Sequence, residues 1–216
     1  MIAGESALAV AAPRIGALVL AAGRSTRMGP ANKLLATLDG IPLVARVVNA
    51  ALASRCAQVL VVTGHEAERV EAALAGRPVS FAYNRDFAAG MAGSLRCGLA
   101  AVRPDLDAVI VMLADMPRIT ADEVDRLIAA FDPRQPAIVV PEKGGRRGNP
   151  VLWPRRFFPE MAGLSGDTGA RGLIDRHADR VRVVSLDSDA IFADADTPEA
   201  LAALGGQAMP APEAGG

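Results

Sequence analysis

Four short runs of apolar, largely β-branched residues punctuate this chain, at 15–20 (IGALVL), 59–63 (VLVVT), 109–113 (VIVML) and 138–140 (IVV). A strand wetted on one face alternates apolar with polar residues. Runs without that alternation belong to strands covered on both faces. Weaker strand patterns lie at 79–83 (VSFAY) and 181–185 (VRVVS), and helical patterns fill the gaps at 43–53, 66–74, 94–102, 121–131, 169–177 and 198–204. Thr120 with Glu123 three residues on fits a capping box, and Thr197-Pro198 places a cap residue before a proline at the first helical position. Strand and helix alternating through short connections predict an α/β domain with a largely parallel sheet flanked by helices. No internal repeat or low-complexity linker interrupts the chain between about Arg14 and Leu204. One domain, 14–204, is therefore expected, after a loose leader at 1–13 and before a disordered tail at 205–216.

Composition narrows the class of partner. Half the residues are apolar (51%) and 22% are charged, which excludes a disordered or fibrous chain. The 23 basic and 24 acidic side chains leave a net charge of −1, so no overall field favours nucleic acid or an anionic membrane. No apolar run approaches the roughly 18 residues of a membrane helix. The leader carries Glu5 where a signal peptide wants basic residues, so a cytoplasmic location is expected. Cys56 and Cys97 are far apart, without a CxxC partner, and read as reduced, partly buried thiols.

In an open parallel sheet, ligands bind beyond the carboxyl ends of the strands, so chemistry is sought directly after each apolar run. After the first comes Leu20 to Lys33, LAAGRSTRMGPANK. Gly23 and Gly29 permit backbone turns that let successive N–H groups converge on an anion. Arg24, Arg27 and Lys33 bring three positive charges with no acidic residue between them, and Ser25 and Thr26 add hydroxyls. That combination suits a polyphosphate. It matches neither GxxxxGK[ST] nor GxGxxG. After the strand at 109–113, Asp115 in Ala114-Asp115-Met116-Pro117 stands where a carboxylate could hold Mg²⁺. Asp194 and Asp196, two apart on an extended stretch, point the same way. Gly93-Ser94 marks an expected helix start, suited to an anion or a base edge. His65, His177 and Trp153 read as helix-start, surface or packing residues, and no Ser/His/Asp or Cys/His constellation occurs.

These strings resemble a known family. LAAGRSTRMG with Lys33, ADMP at 114–117, DADTP at 194–198, the 84–98 segment NRDFAAGMAGSLRCG and GDTGAR at 166–171 are similar, in the same order, to motifs of molybdenum cofactor cytidylyltransferases and guanylyltransferases. The resemblance implies a Rossmann-like fold of the nucleotide-diphospho-sugar transferase (glycosyltransferase-A) type. It also implies a reaction: a phosphate of molybdopterin attacks the α-phosphate of CTP or GTP and pyrophosphate leaves. It assigns the nucleotide to Leu20, Ala21, Ala22, Gly23, Arg24, Ser25, Arg27, Lys33, Gly93 and Ser94. Arg27, Lys33 and Asp115 become catalytic residues, and Asp115 with Asp196 metal ligands, for Mg²⁺ or alternatively Mn²⁺. Asn149, Asp167 and Arg171 fall on the acceptor side, and an apo-molybdoenzyme is the implied recipient of the product. Gly148-Asn149-Pro150 departs from the Gly-His-Pro common in the family. Asparagine cannot titrate near neutral pH, which argues against proton transfer there. Guanylyltransferase relatives tend to carry Gly-Gly where this chain has Ala22-Gly23, and a methyl at Ala22 would crowd a purine more than a pyrimidine, favouring CTP. Two other readings stay open: an NAD(P)H-dependent reductase on the same scaffold, resembling nicotine blue oxidoreductases, and a non-catalytic molybdenum cofactor chaperone.

Overall fold

The apolar run at 15–20 extends by one residue to become β1 (Ile15–Ala21), the strand around which the molecule is arranged. A computed structural model describes residues 12–25, 32–166 and 169–207. With elements numbered in chain order, β1 lies parallel between β4 (Gln58–Thr63) and β6 (Ala108–Leu113). Period-two alternation sends Ile15, Ala17, Val19 and Ala21 to one face of the sheet and Leu18 to the other. The first face is covered by α1 (Leu43–Ala53), α2 (Ala67–Ala73) and α4 (Ala121–Ala129), through residues such as Val48, Val70 and Leu127. The second is covered by α3 (Met91–Ala101), α5 (Phe158–Ala162) and α6 (Arg171–Arg176), through Leu95, Met161 and Leu173. Both faces are thus dry, which explains the missing alternation in the strands.

The sheet runs β10 (Val181–Ser185), β7 (Ile138–Lys143), β9 (Val151–Pro154), β6, β1, β4, β5 (Ser80–Tyr83), with β8 (Arg146–Arg147) folded back on β7. Every pairing is parallel except those made by β8 and β9. The mostly parallel α/β architecture expected from sequence is therefore present. β9 was not foreseen, because four residues hemmed by Pro150 and Pro154 show no period. It exists through its partners, inserted between β6 and β7 with Trp153 only 2% exposed. Helix α5 was missed for the same want of length. The foreseen helices agree within two residues except α3, which starts at Met91, three residues early.

A second, antiparallel sheet joins β2 (Thr37–Leu38), β3 (Ile41–Pro42) and β11 (Gly206–Gln207) in the order β11-β2-β3. Beneath it Ala36, Leu38, Leu43, Ala195 and Leu201 of α7 (Pro198–Ala203) form a small separate core. Gly206 and Gln207 thus carry structure past the expected domain end at Leu204. Residues 1–11 of the expected leader and the rest of the tail, 208–216, lie outside the described residues. Among the described residues no helix is long and apolar enough to cross a membrane. Cys56 and Cys97 are free, and burial pushes the Cys56 thiol up to about 11.

The strand β6 leads through Asp115 into α4, whose start is secured by the capping box read from sequence. Glu123 N donates to Thr120 Oγ1 at 3.3 Å and Thr120 N donates to Glu123 Oε2 at 2.8 Å. Thr120→Ala is expected to lower unfolding stability by about 1 kcal/mol, measured by urea denaturation.

Candidate functional site

At the carboxyl end of β1 the chain leaves the sheet. Ala21 and Ala22 are buried, whereas Gly23 and Arg24 are exposed. Ser25 takes the left-handed conformation (φ 53°), and its hydroxyl accepts from Lys33 N at 3.2 Å, closing the loop on itself. On the returning arm, Asn32 caps a short 3₁₀ turn, Lys33–Leu35, by accepting from Leu34 N at 3.1 Å. Leu34 and Leu35 are buried in the main core, and this anchors the turn that carries Lys33.

Lys33 Nζ lies 2.5 Å from Asp115 Oδ2 and 2.5 Å from Asp196 Oδ1. Each carboxylate is held by a different device. Asp115 follows the tip of β6, where Ala114 N donates to Leu20 O of β1 at 3.2 Å. Ala195 N donates to Asp115 O at 3.0 Å, and Ala195 itself is fully buried in the small third core. Asp194 and Asp196, on either side of this anchor, both border one cavity. Asp115 Oδ1 is buried and has no hydrogen-bond partner among the described residues.

Electrostatics follow from this crowding. Burial works against the Lys33 ammonium, but the Asp115 and Asp196 carboxylates outweigh it and hold its pKa above the ordinary 10.5. Asp194 is pushed above the ordinary carboxylate value, first by desolvation and then by Asp196 and Asp115. Among the described residues no group of three or more His, Cys, Asp or Glu side chains is arranged as a preformed metal centre. A hard divalent ion that takes one or two carboxylates, with phosphate oxygens and water completing its shell, needs no such group. Asp115, with an unpaired buried oxygen, and Asp196, converging on the same cation, fit that requirement.

Two cavities meet here. The first, about 570 Å³, is bordered by Leu20, Ala22, Gly23, Arg24, Lys33, Ser94, Asp115, Asp194 and Asp196, together with Phe87, Met91 and Leu113. The second, about 710 Å³, shares Leu20, Met91 and Leu113 with it and adds Asn149, Arg171, Arg146, Arg147, Asp175 and Trp153. Both volumes suit small molecules. Arg147 pairs with Asp175 at 3.7 Å and Arg146 stacks 4.3 Å from the Phe192 ring centroid, so guanidinium groups rim an otherwise largely apolar second chamber.

Some residues expected at the nucleotide do not line the first cavity. Ala21 belongs to β1 and Ser25 supports the loop from within, so neither borders the cavity. Gly93 faces a separate groove with Asn84 and Arg96. It and Ser94 sit inside the first turn of α3 and do not start it, and Asn84 Nδ2 donates to Ser94 Oγ at 3.2 Å. The methyl of Ala22 is turned inward: a Cβ built on Gly64 would lie 2.8 Å from it and 2.6 Å from Phe87 Cβ. Ala22 thus borders the cavity while its side chain is almost wholly buried, 3% exposed. Arg27 and Asp167 lie outside the described residues. Phe87 and Met91 fall within the 84–98 motif but were not singled out as site residues, and Leu113, an uncharged strand residue, was missed. His65 and His177 border neither chamber.

A three-layer α/β fold with a glycine-bearing loop after its central strand and a carboxylate just beyond the neighbouring strand tip is that of the nucleotide-diphospho-sugar transferase class. Solved structures agree: Rv0371c of Mycobacterium tuberculosis H37Rv superposes with a TM-score of 0.81 at 30% identity, over 90% of this chain and 98% of that one. A manganese complex of the same mycobacterial protein matches with a TM-score of 0.76. Within this class the chain belongs to the MobA-like NTP transferase domain family, whose profile matches residues 17–183. Relatives include the nicotine blue oxidoreductase of Paenarthrobacter nicotinovorans, 28% identical over 87% of this chain and 94% of its own length. A probable molybdenum cofactor guanylyltransferase of Natronomonas pharaonis is 29% identical over 85% of this chain and 93% of its own.

The two chambers are joined by backbone. Asn149 N donates to Ile191 O at 3.0 Å, and a Cβ on Gly148 would lie 2.5 Å from that same oxygen. Gly148→Ala must therefore displace the 3₁₀ turn Asp189–Phe192 that leads to Asp194 and Asp196. We expect a loss of about 1–3 kcal/mol in thermal or urea unfolding; unchanged stability would show that this contact is slack.

Proposed function

We propose that this chain is a divalent-metal-dependent nucleotidyltransferase that moves a nucleoside monophosphate, CMP by preference, from its triphosphate to a molybdopterin-type acceptor. The observation that carries this reading is the Lys33 ammonium shared by Asp115 and Asp196 at the edge of the glycine-loop cavity. A triphosphate in that cavity would meet the backbone at Ala22 and Gly23 and the cations Arg24 and Lys33. Arg27 joins them by sequence motif alone. Asp115 and Asp196 would hold Mg²⁺ or Mn²⁺, which supplies charge neutralisation at the α-phosphate and the leaving group. Asn149 and Arg171 line the adjoining chamber, where the acceptor would sit. Asp167 is assigned to the same side by motif.

In the reaction an acceptor phosphate oxygen attacks the α-phosphorus, the bond to the β-phosphate oxygen breaks, and pyrophosphate leaves. Such a step needs positioning and fixed charge more than a protein nucleophile. Shared walls at Leu20, Met91 and Leu113 would bring donor and acceptor together. Ala22 and Phe87, which border the same cavity, narrow it on that side and support CTP over GTP only indirectly. The nicotine blue oxidoreductase relative favours a second reading, hydride transfer from NAD(P)H on the same scaffold. Lysine and carboxylates gathered at a phosphate-type loop speak for the first.

The test is pyrophosphate release from each of the four NTPs with Mg²⁺ or Mn²⁺ and a source of molybdopterin. Release is expected, fastest with CTP. Asp115→Asn should lower the rate roughly a hundredfold or more, about 2.7 kcal/mol of transition-state stabilisation. No release with any NTP, together with NAD(P)H oxidation, would establish the reductase reading instead.

A further inference from the structure

Lys33 is placed where a phosphate-binding lysine is not needed in the absence of phosphate: its ammonium spans Asp115 and Asp196, the two carboxylates assigned to the metal. The contact is sheltered at Lys33 and Asp115, whose side chains are 13% and 16% exposed, and more open at Asp196, 35% exposed. We propose that Lys33 is an internal stand-in for the metal, which bars the bare ion from the Asp115–Asp196 pair and makes metal binding conditional on the nucleotide. The proposal rests on the nucleotidyltransferase reading for the identity of the nucleotide, but its central claim concerns the free protein and the ion alone.

The physical argument is one of competing cations. Around the glycine-loop cavity three carboxylates, Asp115, Asp194 and Asp196, face two cations among the described residues, Arg24 and Lys33, so the ammonium already offsets much of the charge that would draw in a divalent ion. A divalent ion entering alone would have to expel the ammonium, and among the described residues no other carboxylate besides Asp194 borders the same cavity to receive it. An expelled ammonium would remain in a sheltered pocket beside a divalent cation, where repulsion is weakly screened. A triphosphate changes the balance. Lys33 can pass to the phosphate oxygens, its place between the carboxylates falls to the ion, and every charge retains a partner. The backbone ties that hold both carboxylates in position do not depend on Lys33: Ala195 N bonds Asp115 O, and Ala195 is locked in the third core. Removing the ammonium should thus leave a preformed pair of ligands. Binding linkage is reciprocal, so nucleotide and metal must strengthen one another by the same factor.

The decisive measurement is Mn²⁺ binding without nucleotide, by electron paramagnetic resonance of the free ion, to the chelator-stripped full chain and to Lys33→Met. The variant is expected to bind Mn²⁺ on the order of tenfold more tightly, within the ordinary range of coupling between sites. A CTP analogue with a non-hydrolysable α,β-bridge should then tighten Mn²⁺ binding to the wild type, and do so less in Lys33→Met. Equal or weaker Mn²⁺ binding by the variant overturns the proposal. Loss of the ammonium removes a counter-charge from two carboxylates, so thermal melts are run in parallel. A larger Mn²⁺-induced rise in Tm for Lys33→Met than for the wild type, or Mn²⁺-dependent folding of a variant unfolded in chelator, supports the stand-in role; an equal or smaller rise rejects it. If the wild type fails to bind the analogue, the nucleotidyltransferase reading falls, while the nucleotide-free comparison still decides the role of Lys33.

Discussion

The burial of β1 on both faces is the constraint from which the rest of the molecule follows. A strand flanked by parallel neighbours, with Val19 directed to one apolar layer and Leu18 to the other, can end only at the edge of the sheet. Its carboxyl end therefore opens onto solvent beside the ends of β4 and β6. The backbone that emerges after Ala21 has no strand partner. Small residues and a left-handed Ser25 let it turn, and the buried pair Leu34 and Leu35 returns it to the core. The glycine loop is thus a consequence of a buried strand ending at an exposed edge.

The same edge gathers the charges. Lys33, Asp115 and Asp196 come from three distant parts of the chain, and each is positioned by apolar contacts that have no charge of their own. The 3₁₀ turn is pinned by Leu34 and Leu35, Asp115 by the end of β6, and Asp196 by Ala195 in the small core under β2. Charge alone could not have done this, because one ammonium between two carboxylates is worth little in water. Sheltered against the sheet, the same groups influence one another strongly enough to raise the proton affinity of Lys33 despite its burial. Membership of the MobA-like NTP transferase domain family is consistent with a site whose scaffold is apolar and whose working surface is ionic.

The relatives differ in the activities their names carry, a guanylyltransferase in one and an oxidoreductase in another. Both match this chain over more than nine tenths of their own length. In this chain the second chamber has Asn149 at its wall, paired Arg147 and Asp175, and Arg146 lying on Phe192. Residues 148–149 contact Ile191, so changes on that side reach the segment of Asp194 and Asp196.

Much of the scaffold was legible in the sequence because dry strands and amphipathic helices carry their environment in their own residue pattern. The four apolar runs, the Thr120 capping box and the Thr197-Pro198 start all lie where that pattern indicated. Elements only two to four residues long, β2, β3, β8, β9 and β11, show no period and exist through the partners they meet. The loop, Asp115 and the Asp194/Asp196 pair could be singled out from type and position. Their union through Lys33 could not, since an ion pair between residues 33, 115 and 196 depends on where three separate anchors place them. Nor could the inward turn of Ala22 or the seat of Gly93 outside the cavity, because the direction of a side chain is set by its packing. By itself, the sequence determined a parallel α/β sheet and the kinds of group at its working edge, through local periodicity and residue chemistry. Only the tertiary structure decided which of those groups touch, because contact between distant residues is settled by the burial of the apolar residues around them.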